Sequence, residues 1–329
     1  MLLTLLAVVL AGAAIASLGI GRVGIPFGRV VQVLASPWFP PAVPVTPMEW
    51  SIVVVVRLPR VAMAVLAGAG LALSGAVLQG VFRNPLVGPQ VVGVSAGAAF
   101  GGTLSIVLGW PWLALMGAAF VGGLSALVLV SALALAVARS DVLVLVLAGV
   151  VVSGFFSALV SLLQFMSDSQ DTLPVIVFWL LGSLATANGQ KVLMLAVPVL
   201  GCGTILLALR WQVNLLSMGD EDARTLGVSV ARLRWLLLIL TAAIVASQVA
   251  VSGMIGWVGL VVPHIARLLV GPDHRRLLPV SALTGGLFLL VVDDVARSLT
   301  SAEIPLGILT ALIGTPVFSA LLVRSRLAR

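Results

Sequence analysis

The side chains in this sequence that could handle a polar solute form a short series at helical spacing. Ser153, Ser157 and Ser161 lie at positions i, i+4 and i+8 of an apolar segment, and Gln164 follows within the next turn. Residues with this spacing lie on one face of a helix. Uncharged hydroxyl and amide groups can pass a polar cargo along without holding it tightly. Because such groups also join membrane helices by hydrogen bonds, packing is the alternative interpretation of this face.

The sequence contains no arrangement typical of a catalytic, metal or nucleotide site. The histidines, His264 and His274, have no cysteine beside them, which argues against a zinc site. No GxxxxGK[ST] motif is present, and the single lysine, Lys191, follows a glutamine. The chain therefore cannot bind ATP through a P-loop. We predict that it is not an enzyme and has no cofactor or metal of its own.

The composition places this polar series in a membrane. Hydrophobic residues make up 61% of the 329 residues and charged residues only 9%, against about 25% charged residues in a globular protein. A spanning helix needs about 20 apolar residues. Apolar segments of roughly this length lie at 2–20, 58–81, 91–108, 113–137, 142–165, 191–209, 234–253, 256–270, 277–296 and 305–323. We predict an all-α polytopic membrane protein with about ten transmembrane helices, some short or broken, in one domain over residues 1–329.

The basic residues predict which ends of these segments face the cytoplasm. With the N-terminus inside, 12 of the 18 basic residues lie in cytoplasmic loops and 6 lie outside. This asymmetry is the one that the positive-inside rule describes, and it places both termini in the cytoplasm. We therefore attribute the net charge of +7 to orientation in a lipid bilayer and predict no nucleic-acid partner.

No acidic residue falls clearly at mid-membrane, where ion-coupled carriers commonly place one. Asp293 and Asp294 lie near the outer end of the ninth segment. The energy for transport would therefore come from a partner. An ion-coupled secondary transporter is the alternative function of another class, because backbone carbonyls can also hold sodium.

Two irregular stretches interrupt the apolar segments. The first, at Asn84, Pro85 and Leu86, ends the second segment, and the other, at 253–264, follows the seventh. Irregular backbone within a bilayer is tolerated only where it is buried in protein or lines a wet cavity. The segments before the two breaks would run in opposite directions. We therefore interpret the two halves as an inverted repeat, a known device of transporters.

The longest inner loop carries an acidic cluster, Asp220, Glu221 and Asp222. Acidic residues are favourable in the first turn of a helix, so a short helix should begin here and end at Gly227. Its apolar side would consist of Ala223, Leu226 and Val228. Such an amphipathic helix could fit a groove on a soluble partner, and a solvated acidic loop is the alternative.

Seven ordered motifs resemble the permease subunits of binding-protein-dependent ABC importers for iron chelates, haem and vitamin B12, the type II or FecCD-like importers. They are RLPR (57–60), GAVLQGVFRNPLVGP (75–89), GVSAGAAFG (93–101), FWLLGSL (178–184), GDEDARTLGV (219–228), GLVVPHIARLLVGPDHR (259–275) and EIPLGILTALIGTPVF (303–318). The resemblance covers nearly the whole chain. It implies the inverted-repeat architecture of a type II importer permease, with a cytoplasmic coupling-helix loop at about 212–233.

The resemblance implies partners on both sides of the bacterial inner membrane. ATP and magnesium would be bound by ATP-binding cassette ATPase subunits. The coupling helix would contact those subunits through Gly219, Asp220, Glu221, Asp222, Ala223, Arg224, Leu226 and Gly227. A second permease subunit, either identical or a paralogue, would complete the pore.

Three outer arginines, Arg57, Arg60 and Arg297, acquire a role through the same resemblance. From the sequence alone they are interpreted as anchors that extend to the lipid headgroups. The family implies instead that they receive acidic residues of a periplasmic substrate-binding protein.

The resemblance also assigns a gate and a path. The implied cytoplasmic gate comprises Asn84, Pro85, Leu86 and Ser140. The family lines its translocation path with the helix that carries Ser153, Ser157, Ser161 and Gln164, which favours a path over simple packing for that face.

The first cargo that the resemblance implies is an iron–siderophore complex, with haem, vitamin B12 and molybdate as alternatives. Haem permeases resembling this chain have an arginine a few residues before the FW of the FWLLGSL-like segment, where this chain has Pro174. This departure makes haem a weaker candidate. No residue of the polar series distinguishes among the others.

Overall fold

The computed structural model describes residues 1–21, 23–137, 142–300 and 302–327, and every regular element in these ranges is helical. The α-helices are α1 (Leu2–Gly19), α2 (Phe27–Ala35), α3 (Pro47–Trp50), α4 (Leu58–Val81), α5 (Val94–Val107), α6 (Trp112–Val137), α7 (Val142–Met166), α8 (Thr172–Leu180), α9 (Gly189–Ala208), α10 (Arg210–Met218), α11 (Asp220–Thr225), α12 (Val230–Ser252), α13 (Val258–Val270), α14 (His274–Ser298) and α15 (Leu306–Leu327). A π-helical turn, Ser51–Arg57, joins α3 to α4, and a 3-10 turn, Pro89–Val92, precedes α5.

Each of the ten predicted apolar segments coincides with a described helix, which confirms the fold class. Among the described residues, 7 helices are long and apolar enough to cross a membrane, with three shorter apolar helices at Val94–Val107, Val258–Val270 and Leu306–Ala320. The structure adds α2, α3, α8 and α10, which were not predicted. Helix α3 has 4 residues and each of the others has 9, too few to span a bilayer, so hydropathy over a membrane-length window does not reveal them.

Helices α4 and α12 form the centre of the protein. In each of them 78% of the most apolar window is buried, against 11% for α1 and 22% for α9. Small residues allow α4 to approach its neighbours closely, because a Cβ on Gly68 would lie 2.1 Å from the Gly285 carbonyl oxygen and one on Gly75 would lie 1.8 Å from that of Gly259. The small residues of α4 therefore serve helix packing, as small residues commonly do in membrane helices.

Contacts between distant segments define two opposite faces of the protein. At the first, the Asp220 face, Asp220 contacts Arg83 at the end of α4 and Arg234 near the start of α12. At the second, the Asp293 face, Asp293 near the end of α14 contacts Arg60 at the start of α4. Helix α4 therefore runs from the Asp293 face to the Asp220 face and α12 runs in the opposite direction, as the predicted inverted repeat requires.

A short amphipathic connection lies at the Asp293 face between α1 and α4. The Arg29 guanidinium of α2 donates through Nε to Glu49 Oε1 at 2.6 Å, and Thr46 caps α3. Hydrogen bonding to Glu49 raises the pKa of Arg29 above its ordinary value. The ion pair ties α2 to α3 ahead of the π-helical turn.

Both predicted breaks are present, and both contain a residue with left-handed backbone. Arg83 has φ +50° in the stretch that follows α4, and Trp257 has φ +65° in the stretch between α12 and α13. A positive φ is uncommon outside glycine and is unfavourable for bulky residues. Such strained positions cluster at functional sites, so the two breaks are the first places to examine for a transport path.

Candidate functional site

The predicted polar face of α7 lines a cavity of about 390 Å³. Ser153, Ser157, Ser161 and Gln164 all contribute to its wall. The opposite wall is formed by the start of α5 and by Leu180 and Met254. The structure therefore brings together all four side chains that the sequence assigned to a path. Ser157 and Ser161 remain exposed in the single chain, and Ser161 Oγ donates to the Ser157 carbonyl oxygen at 3.0 Å.

Two polar residues of this cavity, Gln90 and Ser95, were missed in the sequence. Gln90 lies in the 3-10 turn and Ser95 in the first turn of α5. Neither belongs to a periodic polar series, because Gln90 lies in the turn before α5 and Ser95 lies within α5. The signal that could have found them is their position at the break, where backbone is expected to border a wet cavity.

Gln90 and Ser95 also line a second cavity, of about 180 Å³, in which the two breaks meet. Its wall contains Leu86 from the first break and Trp257 from the other. The contact between the breaks is close, since a Cβ on Gly256 would lie 2.8 Å from Gln90 Nε2. The two cavities together form one route from the α7 face to the first break.

The predicted gate residues lie where this route approaches the Asp220 face. Asn84 Oδ1 accepts a hydrogen bond from the Leu86 backbone N–H at 2.9 Å, and the Asn84 N–H donates to the Gln79 carbonyl oxygen at 3.1 Å. These bonds fix the turn and present Leu86, which is 51% exposed. Asn84 and Pro85 are exposed beside it. Ser140, the remaining predicted gate residue, lies outside the described residues.

The predicted short helix at the acidic cluster is α11. It begins directly after Gly219, whose φ of +142° favours glycine. At Asp220, both carboxylate oxygens accept from Arg234 Nη2, at 2.8 and 2.9 Å. Arg234 is 1% exposed, so this pair anchors α11 to the protein interior. Asp220 Oδ1 also lies 3.8 Å from Arg83 Nη2, one residue before the predicted gate.

The remaining residues of the predicted coupling helix divide between an inner and an outer side. Ala223 is buried against the core, whereas Leu226 is 58% exposed. Ala223 therefore packs inward and Leu226 faces outward, and the predicted contact of this helix with a partner stays a prediction. The turn that ends α11 directs Leu226 outward, where it joins Glu221, Asp222, Arg224 and Gly227 on an exposed surface. We call these five residues the α11 surface.

The three outer arginines are buried and bonded within the chain. Arg60 donates through Nε to both oxygens of Asp293, at 3.1 and 2.9 Å, and through Nη1 to Glu303 at 2.8 Å. Arg297 Nη2 donates to the Ser17 carbonyl oxygen at 2.6 Å and contacts Asp294. These contacts join α1, α4, α14 and the segment before α15.

Arg57 completes this cluster, and among the described residues it bonds to backbone carbonyls and not to a carboxylate. Its Nη1 donates to the Leu18 carbonyl oxygen at 2.8 Å and its Nη2 to that of Val23 at 2.5 Å. In this conformation all three guanidinium groups are occupied by the chain itself. Their docking to a binding protein therefore stays a prediction, and a structural role at the Asp293 face stands beside it.

This arrangement of helices, breaks and short exposed helix matches known transporters. The FecCD transport family matches residues 6–324. The chain belongs to the FecCD family. One of its relatives is the molybdate import system permease protein MolB of Haemophilus influenzae. The two are 49% identical, and the aligned region covers 98% of this chain and 94% of the relative. The cobalamin import system permease protein BtuC of Halobacterium salinarum is 46% identical, and the aligned region covers 82% of this chain and 73% of that relative.

A solved structure supports the same assignment. An inward-facing conformation of a metal-chelate type ABC transporter superposes with a TM-score of 0.89 and 47% sequence identity, covering 98% of this chain and 99% of that chain. The FecCD-like permease architecture predicted from the motifs is thereby confirmed. The chain is a multi-pass membrane protein of the ABC importer permease class.

Proposed function

We propose that this permease serves an ATP-driven importer whose cargo is a small oxyanion such as molybdate. The observation that carries the proposal is the 49% identity to a molybdate import permease over 98% of this chain, and the lining of the 390 Å³ cavity is compatible with such a cargo. The polar side chains of this lining are uncharged hydroxyls and amides, from Gln90, Ser95, Ser153, Ser157, Ser161 and Gln164. Hydroxyl and amide groups can donate hydrogen bonds to an oxyanion, whereas a carboxylate would repel it and a fixed cation would retain it.

A metal chelate, the cargo first implied by the sequence motifs, is the second candidate. One observation favours it. Ser157 and Ser161 line the cavity and are also exposed at the surface of the single chain, so the path is open on that side. A second permease subunit, identical or a paralogue, would close it and leave a wider path for a bulky cargo.

In the proposed importer the Asp220 face is cytoplasmic and the protein lies in the bacterial inner membrane. The α11 surface would contact the ATPase subunits, which bind ATP and magnesium. The Asp293 face would receive the periplasmic binding protein. The exposed polar face of α7 supports the second permease subunit, because a hydroxyl such as that of Ser157 would be unfavourable against lipid unless it were hydrogen-bonded.

The test is transport by the reconstituted complex. The permease, its ATPase and its binding protein are placed in proteoliposomes, and uptake of molybdate is compared with uptake of a ferric siderophore. ATP-dependent uptake of molybdate alone supports the proposal, and uptake of the chelate alone replaces it with the second candidate. Uptake without ATP, driven by an imposed proton or sodium gradient, would instead establish a secondary transporter.

A tryptophan in place of Ser157 should block the path. The indole would fill the cavity beside Ser153 and Ser161, and we expect import to fall at least about tenfold, a change of ~1.4 kcal/mol in the barrier. The matched control is Leu162→Trp, since Leu162 is exposed on the other side of α7. Import measured in proteoliposomes should be normal for the control. Equal import by both variants would contradict the assignment of the path.

Shortening Leu86 should make the resting transporter leak. Leu86→Ala removes the apolar side chain that faces the route between the breaks, and Asn84→Ala removes the hydrogen bond that holds its backbone. We expect efflux of preloaded cargo without ATP to rise severalfold in both variants. Leu108→Ala is the control, because Leu108 is equally exposed at 51% but lies beyond the end of α5. An unchanged efflux rate in Leu86→Ala would count against the gate.

A further inference from the structure

A groove unrelated to the path lies between α6, α9 and α12. Its volume is about 300 Å³, and its lining is apolar except for Ser247. Its residues are Met116, Gly117, Phe120, Met194, Val197, Pro198, Ser247, Ala250 and Val251. None of them lines either cavity of the path. The groove therefore has no part in the site described above.

The groove continues, at the Asp293 face, into a second space that is largely apolar but carries a few polar groups. This space, of about 330 Å³, shares Met116, Ala250 and Val251 with the groove. It lies under the turn between α8 and α9, and its polar lining includes Lys191 and Thr186. Trp112 lies at its edge and is 43% exposed, which is typical of an aromatic residue at the level of lipid headgroups. The combined feature has an apolar part and a cationic end.

Lys191 is the only lysine in the chain, and its ammonium group donates to Thr186 Oγ1 at 2.5 Å. It is partly buried, and the ion pairs of the described residues do not include it. A partly buried charge without an opposite charge is unfavourable. An anionic group in the adjoining space would offset this cost.

The dimensions of the feature fit one lipid. Lys191 is near the start of α9 and Pro198 lies seven residues further along, a rise of about 10 Å at 1.5 Å per residue. That distance leads from the headgroup level into the hydrocarbon, whose full thickness is about 30 Å. The surrounding surface of α9 is apolar and exposed, at Leu193, Val197 and Leu200, so the groove opens toward hydrocarbon.

From this arrangement we propose that the groove binds one anionic phospholipid. Its phosphate group contacts Lys191 and Thr186, and an acyl chain occupies the apolar groove between α6 and α9. A neutral lipid would fill the apolar part but leave the ammonium group without a counter-charge. A second copy of the chain is the competing occupant, and it would exclude the lipid from the groove.

The test measures which lipid remains bound to the full chain purified with its ATPase. The complex is equilibrated with equal amounts of phosphatidylglycerol and phosphatidylethanolamine, and retained lipid is counted by native mass spectrometry. One basic residue near an anionic lipid surface favours the anionic lipid about fivefold. The wild type should therefore retain one phosphatidylglycerol molecule, about fivefold more often than phosphatidylethanolamine. Lys191→Met should abolish the preference, and Lys191→Arg should keep it.

The groove itself is tested by filling it. Gly117→Leu should reduce retention of both lipids, because a Cβ on Gly117 meets no atom within 4 Å and the new side chain enters the groove. Gly12→Leu on α1 is the matched control, since its Cβ also meets nothing within 4 Å. Val197→Trp fills the groove from α9 if Gly117→Leu does not fold.

Equal retention of the two lipids by the wild type would overturn the proposal, as would an unchanged preference in Lys191→Met or normal retention after filling. These readouts do not depend on transport or on the identity of the cargo.

Discussion

Replacing Asp220 with alanine should strongly reduce import while leaving the ATPase bound to the permease. Asp220 begins α11 and joins three elements, because its carboxylate contacts Arg234 of α12 at 2.8 Å and Arg83 after α4 at 3.8 Å. A hydrogen bond to a charged group contributes about 1.5–3 kcal/mol, so the anchor of α11 would be substantially weakened. Movement of the α11 surface would then no longer reach the residues around Leu86. We expect import to fall at least about tenfold, in the range of a coupling energy of 1–3 kcal/mol.

Two readouts separate this coupling role from docking. The amount of ATPase that purifies with the permease reports binding, and the number of molecules imported per ATP hydrolysed reports coupling. Asp220→Ala should lower the number of molecules imported per ATP and preserve the amount of bound ATPase. Leu226→Ala should lower the amount of bound ATPase, because Leu226 is on the exposed α11 surface and contributes apolar contact. If both variants lose the ATPase equally, Asp220 belongs to the docking surface and the coupling role is wrong.

Arg83 offers a milder version of the same experiment. Its contact with Asp220 is longer and its side chain is 42% exposed, so the pair contributes only about 0.2–1 kcal/mol. Arg83→Gln should therefore reduce the number of molecules imported per ATP severalfold at most, and Arg83→Lys should restore it. Restoration by lysine would show that the charge, and not the strained backbone at this position, is what matters.

The positions of the apolar helices and of α11 could be predicted because their signals are local. Hydropathy over about 20 residues identifies a spanning helix, and the acidic triplet at 220–222 marks the start of α11. The polar face of α7 follows from spacing within one helix. The burial of Ala223 could not be predicted, because it depends on how α11 packs against distant segments of the chain.

The cluster at the Asp293 face shows why other features could not be predicted. Arg60 contacts Asp293 across 233 residues of sequence and Glu303 across 243. No pattern within one segment indicates such a pair, since each partner alone resembles an interfacial anchor. The same reasoning applies to Gln90, whose role depends on the meeting of two breaks that lie far apart in the sequence. Local physics identifies the elements, and their packing decides which polar groups meet.

Removing Asp293 should destabilise the protein more than any other single change considered. Asp293 is fully buried at 0% exposure and accepts three hydrogen bonds from Arg60, which is itself buried. Breaking a buried ion pair by removing one partner costs about 3–5 kcal/mol. The single thiol of Cys202 is partly buried in α9, so its labelling by a maleimide dye during heating measures the loss of structure. Asp293→Ala should show labelling at a clearly lower temperature, and an unchanged labelling curve would contradict the structural role of the pair.

A double variant separates that structural role from docking of a binding protein. Replacing both members of a buried ion pair by hydrophobic residues is often neutral or stabilising, so Arg60→Leu with Asp293→Leu should recover much of the lost stability. Glu303 is 30% exposed and can turn toward water when Arg60 is absent. If Arg60 acts only within the chain, the recovered variant will respond normally to the binding protein in an ATPase assay. The other outcome is a variant that is as stable as the wild type but whose ATP hydrolysis is no longer stimulated by the binding protein. In that case Arg60 separates from Asp293 to contact the binding protein, and the predicted docking role is correct.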